Sequence, residues 1–116
     1  MEATYLLWGQ GLYYLATAAW PLVSMRSFER VTGPKQDHWL VKTVAAMIGV
    51  IAIVLLAAAY RGAPSVDAVV LALGSAVALA AVDVIYVAQR RISRIYLLDA
   101  AAEAVLLAGW VFTLLG

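Results

Sequence analysis

Residues 96–110 of the chain, YLLDAAAEAVLLAGW, form a long apolar run that nonetheless carries two carboxylates, Asp99 and Glu103. Continued to residue 115, the run reaches the roughly 20 mainly apolar residues that a helix needs to cross the hydrocarbon core of a bilayer. At about 100° per residue, Asp99 and Glu103 project from one side of such a helix. The stretch therefore predicts a membrane-spanning helix with an acidic face.

The composition of the whole chain agrees with a membrane protein. Hydrophobic residues make up 66% of the 116 residues and charged residues only 13%, which is more apolar than a soluble domain of this size tolerates. The net charge of +1 argues against a nucleic-acid partner. No cysteine is present, and His38 is the single histidine, so neither a metal site nor a cofactor is expected.

Four segments are long and apolar enough to span a membrane: 4–23, 39–60, 65–88 and 95–115. They lack the alternation of barrel strands, so they are predicted to be helices. Short connections make consecutive helices antiparallel neighbours. Asp37 and Ser65 are candidate helix caps, and a short turn is expected at 62–65. The fold class is therefore predicted to be all-α, a polytopic membrane protein with one antiparallel four-helix transmembrane bundle over residues 1–116.

Basic residues are unevenly distributed between the connections. The first connection and its flanks hold four, the third holds three, and the second holds only Arg61. Because basic residues favour the cytoplasmic side, connections 24–38 and 89–94 are predicted to be cytoplasmic and both termini outside. The expected location is the plasma membrane, or the cell inner membrane if the protein is bacterial. Five arginines are expected to set this topology and to bind the phosphates of membrane lipids: Arg26, Arg30, Arg90, Arg91 and Arg94.

Three carboxylates fall at similar depths in the predicted bundle. With a rise of about 1.5 Å per residue, Asp99 lies roughly 6 Å, Asp83 roughly 8 Å and Glu103 roughly 12 Å from the cytoplasmic ends of their helices. Charged groups at such depths are costly and mark functional sites by default. Lys42 lies at the depth of Asp99 and is expected to tune the charge of the three acids. A structural ion-pair network that fixes helix register is the alternative interpretation.

Polar and aromatic residues share faces with these acids. On the first helix a stripe is formed by Gln10, Tyr13, Tyr14 and Thr17, and on the last helix Tyr96 and Trp110 lie on the side of the acids. The predicted site binds a ligand or protons and contains eight residues, none of them assigned a catalytic role: Asp83, Asp99, Glu103, Gln10, Tyr14, Tyr96, Trp110 and Lys42. We expect these residues to line a polar cavity that opens toward the cytoplasm.

The third predicted helix carries alanine at every fourth position: Ala68, Ala72, Ala76 and Ala80. Small residues at this spacing allow helix backbones to approach closely. Asp83 falls on nearly the same side of the helix as Ala72 and Ala76, so it is expected to point at a protein neighbour. The alanine ridge is also a candidate seam for a homodimer.

Three hypotheses for function remain open on the sequence alone. The favoured one is a transport protein that binds or translocates a small cation or a cationic amphiphile, with proton coupling, through the acids in the cytoplasmic half. The second is a non-catalytic subunit that assembles or stabilises a larger membrane complex. The third, a lipid-modifying enzyme with a carboxyl general acid or base, is the least favoured because nothing in the sequence selects a substrate.

Overall fold

The computed structural model describes residues 2–62 and 65–115. The helices in this part of the chain are α1 (Glu2–Val23), α2 (Met25–Thr32), α3 (His38–Arg61), α4 (Val66–Ala88) and α5 (Tyr96–Leu115). No strand occurs among these residues. The predicted all-α class is therefore confirmed.

The four long helices coincide with the four predicted apolar segments to within two residues at either end. The Ser65 hydroxyl accepts a hydrogen bond from the backbone N–H of Ala68 at 3.1 Å, as expected of a helix cap. Asp37 precedes α3, but its side chain makes no capping hydrogen bond. Of the short turn predicted at 62–65, residues 63 and 64 lie outside the described residues, and Gly62 ends α3 in the left-handed region with φ 67°.

Helix α2 lies within 24–38, the segment that the sequence predicts to be a connection between two spans. Ser24 caps it by accepting a hydrogen bond from the backbone N–H of Ser27. Its inner side buries Phe28 and Thr32, and the Trp20 ring of α1 meets Phe28 edge to face at 5.4 Å between ring centres. Gly33 ends the helix at a φ of 98°, where a side chain would be strained. The first connection is therefore partly a short amphipathic helix attached to the end of α1.

The long helices pack as two pairs. Helix α1 packs mainly against α3, which we call the first pair, and α4 packs mainly against α5, the second pair. Within the first pair, Gly11 faces Leu56 and Ala18 faces Gly49, so the two helices run antiparallel. Contacts between the pairs are fewer and are made mainly by α1 with α5 and by α3 with α4. The boundary between the pairs is thus less extensively packed than either pair.

The alanine ridge of α4 is part of the molecule's own core. Ala72 and Ala76 are fully buried and Ala68 nearly so, and Asp83 on the same helix is buried with them, as its position on the ridge predicted. Three of the four ridge alanines are therefore covered within one chain, Ala80 is half-buried, and a homodimer stays a prediction.

Three of the helices, α3, α4 and α5, are long and apolar enough to cross a membrane. Helix α1 is of similar length, with 22 residues, but Gln10, Pro21 and several aromatic side chains make it less apolar. It does not reach the hydropathy of the other three among the described residues. The chain is thus an all-helical membrane protein with three candidate spans, while the fourth span and the orientation stay predictions.

Candidate functional site: an acidic cluster

The two helices of the second pair bring three carboxyl groups together. Glu103 on α5 is fully buried, and Asp99, one turn earlier, is half-buried. Asp83 on α4 is 6% exposed, and the carboxyl of Asp99 is within interaction range of both Asp83 and Glu103. We call Asp83, Asp99 and Glu103 the acidic cluster. The three carboxyl groups therefore lie close together, as their predicted depths and helix faces indicated.

Helix α1 supplies hydroxyl donors to this cluster. The Tyr14 hydroxyl, itself 1% exposed, donates to Oε1 of Glu103 at 2.6 Å. The neighbouring Tyr13 hydroxyl donates to Oδ1 of Asp99. Tyr13 was absent from the predicted site although it shares the polar stripe of α1 with Gln10 and Tyr14. That stripe was the sequence signal that could have included it.

A second group of hydrogen bonds in the same interface is made by Gln10 of α1. The Trp110 Nε1–H donates to Oε1 of Gln10 at 2.8 Å, and Nε2 of Gln10 donates to the backbone carbonyl of Ala72 at 2.9 Å. All three residues are fully buried. Gln10 therefore links α1 to both α4 and α5 at once.

All of these bonds cross between the two helix pairs from one face of α1. Gln10, Tyr13 and Tyr14 provide that face, and their partners lie on α4 and α5. We call this set of hydrogen bonds the polar seam. Because apolar surface gives little drive for association inside lipid, interhelical hydrogen bonds and close packing carry much of the specificity there. The polar seam therefore fixes how the two pairs are aligned.

The acidic cluster lacks compensating positive charge. Oδ2 of Asp83 and Oε2 of Glu103 are buried without a hydrogen-bond partner. Within residues 2–62 and 65–115 the one acid–base side-chain contact at ion-pair distance joins Glu29 to the imidazole of His38, at 3.1 Å, outside the cluster. Three adjacent carboxylates without a counterion are strongly unfavourable in a low-dielectric interior. The arrangement can be stable only if bound protons or a bound cation neutralise part of the negative charge.

Two residues of the predicted site belong neither to the acidic cluster nor to the polar seam. Lys42 is exposed and pairs with no acid in the described part of the chain, so its predicted role in tuning the acids is wrong. The ring of Tyr96 faces the Lys35 ammonium at 5.4 Å instead of the carboxyls. Among the described residues, no Lys or Arg side chain forms an ion pair with the three acids, so the alternative of a structural ion-pair network is not supported. The five arginines expected to contact lipid phosphates are all exposed: Arg26, Arg30, Arg90, Arg91 and Arg94.

The cluster is packed instead of lining an open cavity. Two clefts are described here, and neither of them is lined by Asp83, Asp99 or Glu103. The smaller, of about 290 Å³, is lined by Tyr5, Leu6, Gly109 and Thr113, near the far end of α5. The described residues include no group of three or more acidic, histidine or cysteine side chains arranged to hold a metal ion. The expected polar cavity at the acids is therefore not among the described clefts, because aromatic side chains fill the interface.

Comparison with known proteins provides no relative: no family, curated protein or solved structure matches the chain.

Proposed function

We propose that the chain is a small transport protein, a four-helix transmembrane bundle with both termini outside, that translocates a small cation in exchange for protons at the acidic cluster. One observation carries this proposal. Three carboxyls meet in the interior with two buried oxygens unpartnered and no basic side chain among their described neighbours. A purely structural cluster would gain by pairing with a cation of the protein itself.

The packed arrangement suits the protonated state of such a carrier. Protons shared among the carboxyls remove their mutual repulsion and allow the helices to stay close. Tyr13 and Tyr14 each supply one donor to an acceptor oxygen, which leaves the remaining carboxyl oxygens able to share protons with one another. Release of protons would then leave negative charge that a small cation could neutralise.

Access to the cluster requires the two helix pairs to part. The hydrogen bonds of the polar seam hold the pairs together, and the packing between the pairs is less extensive than the packing within either pair. A separation along this boundary would expose Asp83, Asp99 and Glu103 together. A proton or small inorganic cation fits this route better than a bulky amphiphile, since neither described cleft contains the carboxyls.

Transport by purified protein in liposomes tests the proposal. Proton flux is followed with an entrapped pH-sensitive dye while gradients of Na⁺, K⁺ or tetraphenylphosphonium are imposed. We expect flux coupled to at least one of the inorganic cations, reduced at least about tenfold by D99N or E103Q, in line with the loss of a functional proton-transfer group.

Asp67→Asn is the matched control for these variants. Asp67 is an exposed acid in the first turn of α4, the helix that carries Asp83, and its substitution changes the charge equally. It should leave the flux unchanged. Wild-type protein that moves no protons under any of the three gradients would contradict the proposal, as would D99N and E103Q proteins that match it.

The second candidate function is assembly with another membrane chain. Its supporting observation is an outward-facing set of small residues on α5, formed by Ala101, Ala104 and Ala108, all of them exposed. Small exposed residues at helical spacing allow a partner helix to approach closely. Purification from native membranes separates the candidates: a stoichiometric companion chain supports the assembly function, and a protein isolated alone or as a homodimer opposes it.

A further inference from the structure

The larger of the two described clefts lies against α2, away from the acidic cluster. It has a volume of about 490 Å³ and is formed by α2, the following loop and the start of α3. Six residues line it: Met25, Arg26, Glu29, Arg30, Pro34 and His38. Its volume falls within the range of small-molecule sites, and its lining combines two guanidinium groups with apolar side chains.

The position of the cleft is fixed by packing beneath α2. Phe28 and Thr32 are buried on the inner side of α2, and the Trp20 ring packs edge to face against Phe28. Lys35 in the following loop donates to the backbone carbonyls of Thr32 and Gly33, at 3.1 and 2.8 Å. The loop is thereby tied to the end of α2, and the wall that it contributes to the cleft is held in place.

Arg26 and Arg30 are the charges of the cleft that remain available to a ligand. They are four residues apart on one side of α2, both exposed, and neither forms an ion pair within the described residues. Glu29 is already engaged through both oxygens: one accepts the backbone N–H of Lys35 at 2.7 Å, and the other pairs with His38 at 3.1 Å. The two guanidinium groups therefore present unused donors at the cleft.

We propose that this cleft binds the phosphate of an anionic phospholipid headgroup between Arg26 and Arg30. Guanidinium groups match the geometry of phosphate oxygens with paired donors. Helix α2 follows directly after α1 and precedes the apolar α3, with the exposed Trp39 at the start of α3, which places the cleft at the level of lipid headgroups. Met25 and Pro34 supply an apolar wall for the glycerol backbone beside the phosphate.

Native mass spectrometry of the full chain in neutral detergent tests this assignment. The protein is titrated with short-chain phosphatidylglycerol, with phosphatidylcholine of the same chain length, and with inorganic phosphate as a competitor. We expect one phosphatidylglycerol per chain to bind at least about tenfold more tightly than phosphatidylcholine, because the two guanidinium groups together favour a headgroup of net negative charge over one whose choline cancels the phosphate charge. Displacement by equimolar inorganic phosphate would overturn the lipid as the occupant.

Three double variants distinguish phosphatidylglycerol binding at the cleft from attraction by general surface charge. R26Q/R30Q should weaken phosphatidylglycerol binding by at least about tenfold. K42Q/R61Q removes the same charge from exposed basic residues outside both described clefts and should weaken it by less than about twofold. R26K/R30K retains the charge without the paired donors and should show an intermediate loss. Equal losses in the two glutamine doubles, or no loss in R26Q/R30Q, would overturn the proposed site without affecting the acidic cluster.

Discussion

Tyr14 on α1 donates a 2.6 Å hydrogen bond to Glu103 on α5, a residue 89 positions further along the chain, and both side chains are essentially inaccessible. The bond joins the two helix pairs at the acidic cluster. It uses one oxygen of Glu103 and leaves the other, Oε2, buried without a partner. The bond thus helps to align the helices, and it leaves the cluster with a buried acceptor oxygen that has no donor.

Removing the Tyr14 hydroxyl should destabilise the fold. Y14F keeps the ring but leaves both oxygens of Glu103 without a donor, so we expect the free energy of unfolding in detergent to fall by about 1–2 kcal/mol. Denaturant titration followed by circular dichroism measures the change. Y60F is the matched control because Tyr60 is 84% exposed, and it should have no effect. Equal stability of Y14F and Y60F would show that the bond does not contribute.

Gln10 and Trp110 should be energetically coupled. In a double-mutant cycle, Q10M removes the acceptor and W110F removes the indole donor. We expect a coupling free energy of about 0.6 to 1.7 kcal/mol, the range measured for hydrogen bonds between membrane helices. Pairing Q10M with W39F, at an exposed tryptophan on α3, serves as the control and should give a coupling near zero. A Gln10–Trp110 coupling as small as the control would contradict the polar seam.

The close approach of α1 and α3 predicts different effects at two glycines of one helix. A Cβ on Gly11 would lie 2.8 Å from the Leu56 side chain and 3.4 Å from its backbone nitrogen, whereas a Cβ on Gly9 would meet nothing within 4 Å. G11A should therefore destabilise the protein by about 1–3 kcal/mol. G9A should be neutral or stabilising, since alanine favours helix. A G11A protein as stable as the G9A protein would mean that α1 and α3 are further apart than in this structure.

The contribution of Glu29 to stability should depend on pH. The backbone N–H of Lys35 and, secondly, the side chain of His38 lower the pKa of the Glu29 carboxyl below its usual value. A lowered pKa in the folded state stabilises above the unfolded value of about 4.3 and ceases to do so as the pH falls through the folded value. The stability difference between wild type and E29Q should therefore be present at pH 7 and shrink below about pH 4. A difference that keeps its pH 7 size down to about pH 2 would contradict the lowered pKa of Glu29.

The positions of the helices could be predicted from the sequence because apolar runs of spanning length have few alternatives. The exposed side of α5 follows from helical periodicity: Leu97, Ala101 and Val105 lie on the side of the helix opposite Asp99 and Glu103, and all three are exposed. Periodicity likewise assigned Asp99, Glu103 and Trp110 to one face. These features follow from local pattern alone.

Other features depend on how the helices pair. Periodicity placed Tyr13 and Tyr14 on a polar stripe but could not show which acid each one meets. The alanine ridge of α4 had two possible occupants, a helix of the same chain or of a second copy, and only tertiary packing selects between them. The predicted depth of Lys42 matches that of Asp99, but its side chain is exposed and forms no ion pair with an acid among the described residues. Helix α2 was not predicted because its eight residues are too few to show a clear helical period in the sequence.

Infrared spectroscopy of the protein in lipid vesicles at pH 7 tests protonation of the acidic cluster most directly, because protonated carboxyls and ionised carboxylates absorb at different frequencies. The account predicts a protonated-carboxyl band that shifts in D₂O, persists in D67N and disappears in D83N/D99N/E103Q. A wild-type spectrum that contains only ionised carboxylates at this pH would contradict it.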